Sequence, residues 1–391
     1  MTNKPYTLQT RVIKDASPID PHTGAVNVPL HYSSTYHQFD FDQYGKYDYS
    51  RSGNPTREAL EEAIARLEGG VKGFAFSSGM AAISTAFLLL SQGDHVLISE
   101  DVYGGTYRMI TQVLNRFGIQ HTFVDTTDLE KVACAIRPNT KVIYLETPSN
   151  PTLNITDIQG VVKLAKANGC LTFLDNTFMT PALQRPIELG VDLVLHSATK
   201  FLAGHSDVVA GLAVAGNDGL AEQIAFFQNA FGAILGVQDA WLVLRGLKTL
   251  HVRMKESSCS AQKVASFLQE QEGVSAVYYP GLSSHPGAAV HKAQSDSPGA
   301  VLSFELKNRD DARQFLKHIK IPVFAVSLGA VESILSYPAK MSHAAMPEEE
   351  RNKRGITDGL LRFSVGLENA DDLIQDIRSS LSAIDRKEKV R

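Results

Sequence analysis

Short apolar runs alternate with amphipathic stretches over most of the first two-thirds of the chain. Leu193-Val194-Leu195, inside DLVLHSATK, is unbroken by polar residues and predicts a strand over 192–196 buried on both faces. Residues 74–76, 95–99, 120–124, 142–146 and 171–174 read as further strands. Helices are predicted between them over 57–68, 80–90, 107–117, 129–136 and 157–168. In the first of these, Leu60, Ile64 and Leu67 share one face, Asn54-Pro55 marks the preceding turn, and Thr56 is the expected cap. Strand–helix alternation at this spacing means right-handed βαβ units and an α/β fold with a mainly parallel sheet. Beyond 249 the pattern changes to a long helix (251–272), strands at 274–278, 300–306, 333–337 and 361–365, and a last helix at 369–384. That is a smaller α+β domain. Residues 1–48 show scattered prolines and no period, and read as an irregular arm. The expected organisation is arm 1–48, large domain 49–248 and C-terminal domain 249–391. The arm either lies on its own domain or clamps a partner subunit.

Composition narrows the partners. The 391 residues are 43% hydrophobic and 20% charged with net charge −4, as in an ordinary globular protein. No basic stripe points to nucleic acid or a membrane surface, so a small-molecule partner is expected. No apolar run is long enough to span a bilayer. The three cysteines, Cys134, Cys170 and Cys259, are odd in number and lack zinc spacing. Free thiols in a reducing cytosol are expected, with no metal. The stretch MTNKPYTLQTRVIKD lacks the apolar core of a signal peptide, which fits a cytoplasmic location. His251, His285, His291, His318 and His343 show no metal spacing and read as surface or capping histidines.

In open parallel sheets ligands gather at the carboxyl ends of strands. The candidates there are Tyr103, Asn150, Asp175, Ser197, Thr199 and Lys200. A lysine at the mouth of a buried strand can form a Schiff base when its surroundings lower its proton affinity. Asp175 is either a cap or the partner of a buried cation. Ser77-Ser78-Gly79, between a strand and a helix, is either a tight turn or an anion site at a helix N-terminus. Arg51 beside Tyr49 offers a planar fork suited to phosphate. One lysine, one carboxylate, a phosphate cradle and a stacking tyrosine form the set that pyridoxal 5′-phosphate requires.

The ordered motifs YSRSGNPT (49–56), SSGMAA (77–82), DVYGGTYR (101–108), ETPSNP (146–151), LDNTF (174–178), HSATKFLAGHSDVVAG (196–211) and LLRFSVGLE (360–368) resemble the cystathionine-metabolism branch of fold-type I pyridoxal-phosphate enzymes. That branch holds the γ-synthases, β-lyases, γ-lyases and methionine γ-lyases, and the resemblance covers almost the whole chain. It implies the fold-type I PLP-dependent transferase fold, with 49–248 as the cofactor domain. It implies that Lys200 bonds the cofactor aldehyde and acts in catalysis with Tyr103, which stacks on the ring. It implies that Asp175 pairs with the ring nitrogen. Gly79, Met80, Ser197 and Thr199 would hold the phosphate, joined by Tyr49 and Arg51 of a neighbouring subunit. Arg362 would bind the substrate α-carboxylate, with Ser327 and Asn150 nearby. A homotetramer, a dimer of dimers with shared active sites, is implied for an amino-acid substrate. In FAVSLGAVE the position before the SLG turn is Val326, where γ-synthases and γ-lyases commonly carry glutamate. An apolar residue there fits β-elimination of cystathionine, with cysteine as a further substrate; γ-synthase or γ-lyase chemistry is the alternative. The cysteine typical of methionine γ-lyases is absent after Tyr103, where the chain reads Gly104-Gly105-Thr106.

Overall fold

The alternation predicted from the apolar runs is present in the computed structural model, which describes residues 6–16, 18–344 and 346–388. Its strands in chain order are β1 (Lys72–Phe76), β2 (His95–Ser99), β3 (Gln120–Val124), β4 (Thr140–Glu146), β5 (Leu171–Asp175), β6 (Leu193–Ser197) and β7 (Gly211–Ala215). They continue with β8 (Val274–Tyr278), β9 (Val301–Leu306), β10 (Val323–Phe324), β11 (Ile334–Ser336) and β12 (Leu360–Ser364). The chain divides into two units, one of residues up to 91 with 171–251, the other of 92–170 with 252 onward.

In the first unit the strand order is β1-β7-β6-β5. β5 and β6 run parallel, while β7 is antiparallel to both of its neighbours. Helix α1 (Leu8–Asp15) replaces part of the arm read as irregular. Its polar sequence LQTRVIKD buries only Val12, too thin an apolar stripe for a periodic signal. Helix α2 (Pro55–Glu68) starts two residues earlier than predicted. Asn54, not Thr56, is its cap: the Asn54 side chain accepts from the Thr56 and Arg57 amides. The Thr56 hydroxyl instead donates to the Pro29 carbonyl at 2.7 Å. Leu60, Ile64 and Leu67 are fully buried, as their spacing requires. Helix α3 spans Gly79–Phe87, and further helices span Asp218–Phe231 and Val237–Leu247.

In the second unit β4-β2-β3 are parallel throughout, so parallel pairing dominates the β1–β7 strands. The stretch predicted as a loop then one helix is a short helix, α4 (Gly104–Arg108), followed by a wider turn over Met109–Val113 and a tight one over Leu114–Phe117. The other five strands form a sheet of order β10-β11-β12-β9-β8, antiparallel except for β10 with β11. Phe304 and Phe315 meet edge to face at 5.5 Å in its core. His291 and His343 are buried here rather than on the surface. Among the described residues no helix is long and apolar enough to cross a membrane, and no side-chain cluster is fit for a metal.

Candidate active site

The first unit brings Gly79, Ser197, Thr199, Lys200 and Asp175 to neighbouring strand ends. Lys200 follows β6 on a turn closed by its own amide to the Ser197 carbonyl (3.2 Å) and by Gly204 to the Lys200 carbonyl (2.8 Å). The Ser197 amide donates to the Thr177 hydroxyl at 2.8 Å. The Thr177 amide in turn donates to Asp175 Oδ1 at 3.0 Å. The turn before α3 lies directly on this strand end. A Cβ on Gly79 would fall 3.0 Å from Ser197 Cβ, and one on Gly211 would fall 2.0 Å from the Ser78 carbonyl oxygen. At position 211 only glycine permits that approach, and at 79 a side chain would be tight. Ser78 caps α3 by accepting from the Ala81 amide, which leaves the Gly79 and Met80 amides at the helix start for another acceptor. The Thr199 hydroxyl exchanges hydrogen bonds with Ala210, accepting from its amide at 3.0 Å.

Asp175 is buried, and burial pushes its carboxyl up; Thr177 and then the charge of His196 pull it back. A cation placed beside it would favour the carboxylate. The residues therefore fit pyridoxal 5′-phosphate: a lysine amine, an acid suited to a protonated ring nitrogen, and helix-start amides with a serine hydroxyl for the phosphate.

Tyr49 and Arg51 lie exposed on the turn ahead of α2. Arg51 stands 5.6 Å over the Tyr49 ring and donates to the Asn229 carbonyl at 2.7 Å. The turn is shaped by Arg57, which sequence reasoning missed. Its buried guanidinium donates to the carbonyls of Ser50 (2.6 Å) and Arg51 (3.2 Å).

The second unit gathers Arg362, Asn150 and Ser327. Arg362, on β12, is 3% exposed. It donates through Nη1 to Asn150 Oδ1 at 2.8 Å and through Nη2 to the Ser327 carbonyl at 2.7 Å. Its Nε is buried without a hydrogen-bond partner among the described residues. Burial lowers its proton affinity to about 10, with Glu146 and Tyr103 pulling the other way, so it stays a cation at neutral pH. A buried cation with an unused N–H is suited to a carboxylate ligand. Ser327 holds φ at 87°, rare for a side-chain-bearing residue. Such strain persists where surrounding bonds over-determine it, here the Arg362 contact. Tyr103 is 40% exposed, and its amide donates to Glu146 Oε2 at 2.9 Å. Val326 is 64% exposed. His343 Nε2 faces the Val102 carbonyl at 3.3 Å, next to Tyr103, and burial pushes the imidazole down to about 4. Glu146 opens the ETPSNP motif and His343 is one of the histidines without metal spacing, and the sequence assigned neither a role at the site.

Residues 9–382 match the family described as Cys/Met metabolism PLP-dependent enzyme. The chain belongs to that family. Pyridoxal 5′-phosphate is therefore its cofactor. The cystathionine beta-lyase MetC of Bacillus subtilis (strain 168) is 66% identical over 384 residues, 98% of each chain. The cystathionine gamma-lyase of the same strain is 52% identical, covering 93% of this chain and 96% of that one. Among solved structures, cystathionine gamma-lyase from Lactobacillus plantarum complexed with L-serine superposes with a TM-score of 0.94 at 46% identity. That match covers 97% of this chain and all of that one. The mixed α/β fold with a large, mainly parallel sheet and a smaller C-terminal domain is thus that of the fold-type I enzymes of this family.

Proposed function

We propose that the chain is a lyase that splits L-cystathionine and water into homocysteine, pyruvate and ammonia. The observation that carries this is the 66% identity over 98% of both chains to a cystathionine beta-lyase. Relatives with γ-lyase names stand further off, at 52%. The apolar Val326 supports the same choice, since it provides no carboxylate for proton traffic at Cβ or for the amino end of the distal arm.

Bound pyridoxal 5′-phosphate supplies an electron sink that acidifies the substrate Cα–H. We assign Lys200 Nζ to take that proton and to protonate the departing sulfur. With the cofactor bound, Asp175 would hold the proton of the ring nitrogen and Tyr103 would stack on the ring. The Gly79 and Met80 amides with the Ser197 and Thr199 hydroxyls would hold the phosphate. The Arg362 guanidinium, oriented by Asn150 and Ser327, binds the α-carboxylate and so fixes which Cα bond is presented. The arm and the Tyr49–Arg51 turn support a homotetramer in which those two residues complete a neighbouring subunit's phosphate site. We place the enzyme in the cytoplasm, with arm 1–48, cofactor domain 49–248 and C-terminal domain 249–391.

The test feeds L-cystathionine to the pure holoenzyme and identifies the keto acid. Pyruvate with homocysteine is expected. 2-Oxobutyrate with cysteine would make it a γ-lyase, and net cystathionine synthesis from cysteine and an O-acylhomoserine without cleavage would make it a γ-synthase.

A further inference from the structure

Two sets of contacts in the second unit pin the loop that carries Asn150, and the chemistry above uses only one. The first comes from the sheet. Ser303 on β9 and Arg362 on β12 are register partners in an antiparallel pair, so their side chains share a face. Ser303 Oγ donates to the Pro151 carbonyl at 2.7 Å, beside the Arg362–Asn150 contact. The second set converges on Asp101. Its Oδ2 accepts from Ser149 Oγ at 2.6 Å, from Thr152 Oγ1, and from the Thr152 amide at 3.4 Å. Asn154 completes the arrangement. Its amide donates to Ser149 Oγ at 3.0 Å and its Nδ2 to Thr152 Oγ1 at 2.9 Å. Each hydroxyl thus accepts from Asn154 and gives its own proton to Asp101. Ser149, Asn150 and Thr152 are all buried, which makes an acceptor lost here costly.

Asp101 is itself a fixed point. The Glu100 amide before it donates to the Val124 carbonyl at 2.8 Å, and the Glu100 carbonyl accepts from Arg354 Nε at 2.9 Å. The Val102 carbonyl after it is held by His343. We propose that Asp101 is a positioning residue for substrate binding: through Ser149 and Thr152 it fixes the loop around Asn150, and thereby the direction in which Asn150 turns the Arg362 guanidinium toward the substrate α-carboxylate. Without that anchor Asn150 follows Arg362 instead of orienting it. All three donors meet Oδ2, so the clamp works with or without a proton on Oδ1, which is buried without a hydrogen-bond partner among the described residues. The inference rests on the assignment of Arg362 to the α-carboxylate.

L-Alanine and L-alaninamide differ only in carrying a carboxylate or an amide, so comparing them isolates the Arg362 contact. Their dissociation constants for the holoenzyme are read from the change in visible absorption of the cofactor. In Asp101→Ala the constant for L-alanine should rise about tenfold, the low end of what one hydrogen bond between charged groups is worth, while that for L-alaninamide stays at the wild-type value. Asp101→Asn keeps one acceptor oxygen for the two hydroxyls and should recover most of the loss. Thr152→Val removes one donor at nearly constant size and should give a smaller loss of the same kind; it serves as the test if Asp101→Ala does not fold. In an Asn150→Ala background, Asp101→Ala should add almost nothing, because the link is already cut. Equal losses for the two ligands, or additive losses in the double variant, would overturn the proposal. Arg362→Lys is the control: an unchanged ratio of the two constants there means the assignment of Arg362 has failed. A ratio that collapses in Arg362→Lys but holds in Asp101→Ala and Thr152→Val means only the Asp101 role has failed.

Discussion

Replacing Arg362 by lysine tests the substrate-binding assignment most directly. Lysine preserves the positive charge and much of the stem, but not the planar fork. Arg362 uses its two terminal nitrogens on Asn150 and the Ser327 carbonyl at 2.8 and 2.7 Å. A single ammonium cannot keep both contacts and also meet a carboxylate in two places. Losing one charge-assisted hydrogen bond to the substrate is worth about 1.5–3 kcal/mol. At about 1.4 kcal/mol per decade this lowers kcat/KM for L-cystathionine about ten- to a hundredfold. Asn150 Oδ1, a buried acceptor, then competes with the Ser327 carbonyl for one ammonium, so thermal stability should drop by about 1–3 kcal/mol, the cost of one buried acceptor left unpaired. The assay is steady-state release of homocysteine across a range of cystathionine concentrations, with visible absorption of the bound cofactor as a control. KM should rise more than kcat falls, and the spectrum should stay that of wild type. Unchanged KM, or loss of the cofactor band with intact substrate affinity, would refute the assignment.

Lys200→Ala should abolish turnover, and Asp175→Ala should keep the cofactor bound while cutting activity severely; β-lyase turnover near wild type in Lys200→Ala would sink the site. Mixing an Arg51→Ala protomer with a Lys200→Ala protomer should restore part of the activity, because one site in the hybrid keeps both groups, whereas a fully active monomer at assay concentration would exclude shared sites. The third concerns acid stability. Burial holds His291 and His343 neutral down to about pH 4 in the folded chain, while the unfolded chain takes up those protons near 6.5. Stability is therefore fully present above 6.5 and falls as the pH drops toward 4, by up to about 3 kcal/mol for each group. Thermal melts across that window should show the fall, and His343→Gln should flatten it; an equal slope in the variant would count against the buried neutral imidazole.

Much of this architecture is legible along the chain, because burying a strand on both faces demands a continuous apolar run. β2, buried throughout, matches its predicted bounds to the residue, as do the more exposed β3 and β8, and β6 is offset by one position. The candidate cofactor residues could be proposed because their chemistry lies in short segments: the small-residue turn before α3, the aspartate ending β5, the lysine after β6. Other features are properties of packing. β7, Gly-Leu-Ala-Val-Ala, is too rich in small residues to announce a strand, and its glycine is required only because the Ser78 carbonyl lies against it. The cap at Asn54 won over Thr56 because the threonine hydroxyl is engaged by Pro29, a partner 27 residues away. Glu68 reads as one more charge at a helix end. It becomes a clip between β5 and β6 only once Asn176 and His196, 108 and 128 positions away, fold onto it. Local sequence can specify an element whose energy comes from its own periodicity. Which buried polar groups meet is decided by strand order and helix placement, and those exist only in three dimensions.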